Sequence, residues 1–356
     1  MRIYLDHAAT TPMTPTAREA VADAMARWAN PSSPHAEGRA ARAALEQARG
    51  AIADAYGWPG EVLLTSGASE SLAVALGRST FARRLVLAVE HDAVIRAAPD
   101  APRLPVDGNG VADADALAAA LSEGEPALVA IQWANSETGV IQPLAALASM
   151  IHAAGGLLLL DAAQMPPGAD PDAIAAADLV ALSAHKHGGP PGVGALLVRD
   201  LATLVPTGGQ ERGYRPGTEN QPAAVGYAAA LGEVDDLPRL AELRVLLDDA
   251  VQRSGGEVVA ERAQRYPAIG SYRMPGTASA AQLIRFDLAG FAVSAGSACA
   301  SGSMKPSHVL AAIGWSEAAS REVVRVSFGR TTTRADVEAF IAAWRDVARG
   351  ARRIAA

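Results

Sequence analysis

Residues 178–198 read Asp178-Leu179-Val180-Ala181-Leu182-Ser183-Ala184-His185-Lys186-His187-Gly188-Gly189-Pro190-Pro191-Gly192-Val193-Gly194-Ala195-Leu196-Leu197-Val198. The two apolar runs, 178–182 and 192–198, have the length and composition of strands buried on both faces. Between them lies one lysine, flanked by two histidines and a serine in a turn rich in Gly and Pro. A lone lysine in a polar turn is ordinarily a solvated surface group. Its meaning here depends on the rest of the chain.

Upstream of this stretch the chain repeats strand, loop and helix. Val62–Leu64 leads into Thr65-Ser66-Gly67-Ala68-Ser69-Glu70-Ser71 and a helical Leu72–Arg78, and Leu85–Val89 ends in Glu90-His91. Leu128–Gln132 is followed by Asn135-Ser136-Glu137-Thr138-Gly139, and Gly156–Leu160 by Asp161-Ala162-Ala163-Gln164. Apolar strands alternating with helices predict an α/β fold, a mostly parallel central sheet covered by helices on both faces. Before this region, Thr14-Pro15 opens a helix to about Trp28, and Gly38–Tyr56 is amphipathic at helical spacing. After Gly213 the rhythm stops. One long helical stretch, about Gln221 to Ser254, is predicted to connect to a smaller α+β domain with strands near Ile269–Arg273 and Val323–Phe328. The expected division is a large domain over 14–235, with 1–13 and 236–356 forming the small one.

The chain has 356 residues, half of them hydrophobic, with a net charge of −7 and no long basic run. That balance argues against nucleic acid or an anionic membrane as the main partner. The first residues lack the apolar core of a signal peptide, and no apolar run approaches the ~20 residues of a membrane span, so a cytoplasmic protein is expected. The single cysteine, Cys299, excludes an internal disulfide and a CxxC metal site.

Polar residues at the C-terminal ends of successive strands of an open α/β sheet gather at one ligand-binding edge. Here they are Ser66, Ser69, His91, Asn135, Asp161, Gln164, Ser183, His185 and Lys186. Ser66-Gly67-Ala68-Ser69, between a strand and a helix start, suits a phosphate group or an ordinary cap; it lacks the Lys-Ser/Thr ending of a nucleotide P-loop. Asp161, closing a very apolar strand, needs a partner, and a protonated pyridine nitrogen or a helix N-cap would serve. A lysine amine beside phosphate-holding groups is what a protein needs to carry pyridoxal phosphate as a Schiff base. His91 can stack on a ring and move protons, or be structural. His185 and His187 resemble a metal pair, but no third ligand lies nearby in sequence, so no metal is expected. Cys299 lies in ten consecutive small residues, 294–303, which suit a mobile loop carrying an accessible thiol. Arg325, on an apolar strand, suits a bidentate grip on a carboxylate or a structural ion pair.

Taken together these runs resemble the cysteine desulfurases of the class V aminotransferase superfamily, over nearly the whole chain. The landmarks are Tyr4–Pro12, Thr65–Ser71, Glu90-His91, Asp161–Gln164, Ser183–Lys186, Glu211–Thr218, Ser297–Cys299 and Pro306–Leu310. The resemblance implies a fold type I pyridoxal-phosphate transferase. Lys186 would bind the cofactor and later move protons, His91 would stack on its ring, and Asp161 would pair with the pyridine nitrogen. Gln164 and Asn135 would lie on the phenolic-oxygen side. Ala68, Ser69, Ser183 and His185 would hold the phosphate, with Thr218 reaching the cofactor of the other subunit in a homodimer. Arg325, with Asn135 nearby, would bind the substrate L-cysteine. Cys299 would take its sulfur as a persulfide, releasing alanine, and pass it to an acceptor protein in iron–sulfur assembly or thiolation.

This chain departs from the family pattern at Leu72-Ala73, Ser136 and Pro191, none of them a catalytic position. It also ends soon after its last expected helix, without the tail by which some relatives grip an iron–sulfur scaffold. The alternatives are a selenocysteine lyase, another class V lyase, or a silent regulatory relative. Lys186, Asp161, Cys299 and Arg325 together argue against the last.

Overall fold

Ser183 and Gly194 stand opposite each other at the end of one strand and the start of the next, and the two strands run antiparallel. Ten residues without a full helix separate them, too few for the crossover that a parallel pair requires. The lysine turn is therefore a short connection at the edge of a sheet. The structure, a computed structural model, describes residues 2–27, 29–296 and 307–355, with side chains to residue 350.

The described strands are β1 (Ile3–Tyr4), β2 (Glu61–Thr65), β3 (Arg83–Leu87), β4 (Arg103–Leu104), β5 (Ala127–Gln132) and β6 (Leu157–Asp161). They continue with β7 (Leu179–Ser183), β8 (Gly194–Val198), β9 (Glu257–Val258), β10 (Ile269–Arg273), β11 (Phe291–Ala292) and β12 (Val323–Ser327). Seven form one sheet in the order β2-β8-β7-β6-β5-β3-β4. It is parallel from β7 to β4, and only β8 runs against its neighbours. The expected mostly parallel sheet is thus present.

Alternate residues of its strands enter two separate cores, as the two-residue period of a strand requires. Leu64, Val129, Leu160 and Val180 pack with Leu45 and Ile52 of the helix Ala36–Tyr56. Leu63, Leu128, Leu159 and Leu179 pack with Leu72 and Leu76 of the helix Ala68–Gly77. Because both faces are covered, a ligand can reach the sheet only at an end of its strands.

A second sheet, β12-β10-β9, is antiparallel, and β1 pairs with β11 beside it. Phe340 and Trp344 of its helix Arg334–Ala355 pack on Phe286 of the helix Ser279–Leu288. The single helix expected over 221–254 is two, Gln221–Leu231 and Leu237–Arg253. Gly232 follows the first, and Asp236 caps the second by accepting from Arg239 N, with Pro238 in its opening turn. Among the described residues no helix is long and apolar enough to cross a membrane.

Candidate active site

A cleft of about 340 Å³ opens where β2, β5, β6 and β7 end. It is lined by Ser69, His91, Asp161, Gln164, His185 and Lys186, with Ala68 and Ser183 also on its wall. Eight of the expected site residues, scattered over about 120 positions, therefore meet in one place. The cause is topological, since each follows a strand of the same sheet.

One end of the cleft is the turn Ser66–Ser69 at the start of the helix Ala68–Gly77. Gly67 sits at φ 144°, a conformation that favours glycine. The turn lies directly on β8, because a Cβ on Gly194 would stand 2.6 Å from Gly67 Cα and would overlap the Leu182 carbonyl. Glu70 holds the turn from behind, accepting from Ser66 N at 2.5 Å and from Arg215 Nε at 2.9 Å. The exposed hydroxyls of Ser66 and Ser69 and the first N–H groups of the helix make this end suited to a phosphate.

At the other end Asp161, 7% exposed, accepts from Ala163 N at 3.0 Å. Burial pushes its carboxyl up, and His91 and Lys186 pull it back toward the charged form. Beside it Glu90 is fully buried and accepts from Gln132 N at 2.9 Å. Burial, then the Asp161 charge, holds Glu90 well above the usual carboxylate range. His91 Nδ1 accepts from Ala93 N at 3.1 Å, which places the proton of the neutral ring on Nε2. His185 Nδ1 meets Thr10 Oγ1 at 3.2 Å, and burial followed by the Lys186 charge lowers this ring to about 4.

Lys186 Nζ donates to the carbonyls of Ala8 at 2.6 Å and Ala9 at 3.0 Å. Gln164 Nε2 donates to the same Ala8 carbonyl at 2.9 Å. The N-terminal segment is thus a wall of the site. Sequence reasoning missed these acceptors because a backbone carbonyl leaves no mark on residue type. Glu70 and Arg215 were missed too, although a Glu in the first helical turn is a legible capping signal.

Three expected site residues stand elsewhere. Asn135 is buried behind the wall. Its side-chain oxygen accepts from Glu137 N, Thr138 N and Thr138 Oγ1, and its amide nitrogen donates to the Val89 carbonyl. Thr218 is exposed beside Met25, Asn30 and Pro31, outside this cleft. Arg325, on β12, donates to Asp6 Oδ1 at 2.8 Å and to the Ser136 carbonyl at 2.9 Å. Ser136 itself lines the cleft. Arg325 Nε has no partner among the described residues.

Cys299 lies outside the described residues. The residues on either side of its segment are fixed next to the site. Ser294 pairs with Arg325 through both backbone groups, Ser307 Oγ donates to Glu137 Oε2 at 2.6 Å, and His308 Nε2 bonds the Glu90 carbonyl at 2.8 Å. Among the described residues no cluster of metal-ligating side chains is present.

Comparison with known proteins adds a second line. Residues 3–340 match the family model described as aminotransferase class-V. An IscS-like cysteine desulfurase of Mycobacterium tuberculosis is 40% identical, the alignment covering 94% of this chain and 93% of that protein. A NifS-like protein from Rickettsia africae superposes with a TM-score of 0.88 at 28% identity, covering 98% and 99% of the two chains. A structure described as SspA in complex with cysteine superposes with a TM-score of 0.79 at 27% identity, covering 94% and 100%.

Proposed function

The chain belongs to the aminotransferase class-V family, among its cysteine desulfurases, and on that premise we propose that the cleft binds pyridoxal phosphate and removes sulfur from L-cysteine. The family depends on pyridoxal phosphate in general. One observation carries the reading for this chain: a lysine amine, a buried carboxyl group and a helix-start turn line the same cleft.

The residues fit the cofactor. The Ser66–Ser69 turn, with Ser183 and His185, offers donors to a phosphate at one end. Asp161 offers a carboxylate at the other, where a protonated ring nitrogen would compensate the negative charge that burial otherwise disfavours. When bound, the cofactor takes up the electron pair left as the substrate Cα loses its proton. Lys186 holds the cofactor through its amine and moves that proton. His91, lining the cleft, stacks on the cofactor ring and passes protons near it. Arg325 grips the substrate carboxylate, exchanging part of its bonding to Asp6.

Cys299 as thiolate attacks the substrate sulfur; an S–S bond forms and the C–S bond breaks. The balance is Cys299–SH plus L-cysteine giving Cys299–S–SH plus L-alanine. The persulfide then passes to an acceptor protein of iron–sulfur assembly or thiolation chemistry. Thr218, exposed and outside its own cleft, suits contact with the cofactor of a second subunit in a homodimer.

The test is alanine release from L-cysteine by the purified protein with pyridoxal phosphate and a reducing thiol, with Cys299→Ser alongside. Alanine from the wild type and none from the variant is the expected result. Pyruvate and ammonia from both would replace the desulfurase with an elimination lyase.

A further inference from the structure

Behind the lysine turn is a second, smaller cavity of about 20 Å³, separated from the cleft by Lys186 and Gln164, which line both. His7, His187, Gly329 and Arg330 form part of its wall. Two side-chain nitrogens of these residues have no hydrogen-bond partner among the described residues, His7 Nδ1 and His187 Nε2, whereas Arg330 Nε lies 3.0 Å from Asp235 Oδ1. His7 is 6% exposed and His187 3%, so neither nitrogen turns to solvent. Burying two polar groups unpaired would be costly, and native interiors rarely do it.

We propose that this cavity is a binding site for a single water molecule that bridges His7 and His187 and thereby holds the Ala8 and Ala9 carbonyls on the Lys186 amine. The volume selects the ligand. A water needs about 10–15 Å³ and two to four polar partners, and this cavity of about 20 Å³ offers two unpaired nitrogens. The Arg330 charge is already matched by Asp235 Oδ1 at 3.0 Å, which removes the call for an anion. Water can both donate and accept, which suits two neutral imidazoles beside a guanidinium that can only donate. Burial holds His7 at about 4 and His187 at about 3, so both rings are neutral near pH 7.

Gly329 is part of the device. A Cβ at that position would overlap His7 Nδ1 and occupy the space facing it.

The bridge closes a ring of contacts around the lysine. His7 immediately precedes Ala8, whose carbonyl accepts from Lys186 Nζ, and His187 immediately follows Lys186. Arg330 ties the third segment in by donating to the His187 carbonyl at 3.1 Å. His7 and His187 act as positioning residues, since they work through the carbonyls and the lysine loop. The inference rests on Lys186 being the cofactor lysine, and it names what keeps that amine in place.

The experiment has two arms. A crystal structure of the wild-type protein at a resolution that shows solvent should place one ordered water within hydrogen-bond distance of His7 Nδ1 and His187 Nε2. A dry cavity would overturn the site. In the second arm the apoprotein is mixed with pyridoxal phosphate and the growth of visible absorbance is timed. His187→Phe should take up cofactor several-fold more slowly with no fall in Tm, and His187→Asn should recover most of the rate. Wild-type rates in His187→Phe would overturn the positioning role. No absorbance in the wild type would remove the cofactor reading itself, with the crystallographic arm still deciding the water site.

Discussion

Lys186 is one of two lysines in a chain that otherwise uses arginine for its positive charge. An amine can lose its proton and attack a carbonyl, whereas a guanidinium remains charged, so the residue type carries information. Replacing Lys186 by Ala should leave no visible cofactor band and lower alanine production by at least about 10²-fold, the low end of what a positioned acid–base group contributes. An absorption spectrum of the variant with added pyridoxal phosphate checks this; an unchanged band would remove Lys186 from its role.

The neighbouring His187 gives a pH prediction. Its folded value, about 3, lies below the ordinary 6.5, so the unfolded chain binds the extra proton between these limits. Stability supplied by the neutral ring is whole above pH 6.5 and is lost as pH falls toward 3. Its share is about 1.4 kcal/mol per pH unit across that window. Urea unfolding from pH 6.5 to 4 should therefore be flatter in His187→Phe by about that slope. Equal slopes in the two proteins would contradict the buried neutral ring.

The element that decides the cleft is the pair β7 and β8 with the turn resting on it. Gly194 has no side chain because the Ser66–Ser69 turn sits where one would be, 2.6 Å from Gly67 Cα. Gly194→Ala should push the turn outward, at about 1–3 kcal/mol of stability, and weaken cofactor affinity more than it lowers Tm. Cofactor titration followed by fluorescence, beside thermal unfolding, separates the two effects. Wild-type affinity would show that the turn does not bind the phosphate. At this same scale the break at Gly232–Asp236 was missed over 221–254. Helical periodicity resumes after a short interruption, and the capping Asp236 and following Pro238 were outweighed by the alanine-rich run before them.

Across the whole molecule, the site draws on residues far apart in sequence. Arg325 on β12 reaches Asp6 and the carbonyl of Ser136 on the cleft wall, 319 and 189 residues away along the chain. Arg325→Lys retains the charge and loses the planar fork. It should raise KM for L-cysteine about 10- to 100-fold, the equivalent of charge-assisted hydrogen bonds worth about 1.5–3 kcal/mol. The cofactor band should stay unchanged. A steady-state KM equal to that of the wild type would leave Arg325 as a structural partner of Asp6 alone.

Residue types and their order were enough to determine the strand–helix rhythm, the edge at which ligands bind, and Lys186, Asp161 and His91 as groups of that edge. Apolar periodicity and the strand-end positions of polar residues are local properties, and a parallel sheet turns them into one site. Tertiary structure alone decided the rest. The carbonyls of Ala8 and Ala9 hold the Lys186 amine, Asp6 shares Arg325 with Ser136, and His7, His187 and Arg330 line one small cavity. Such contacts join segments through backbone atoms and packing geometry, and neither is written in the identity of a single residue.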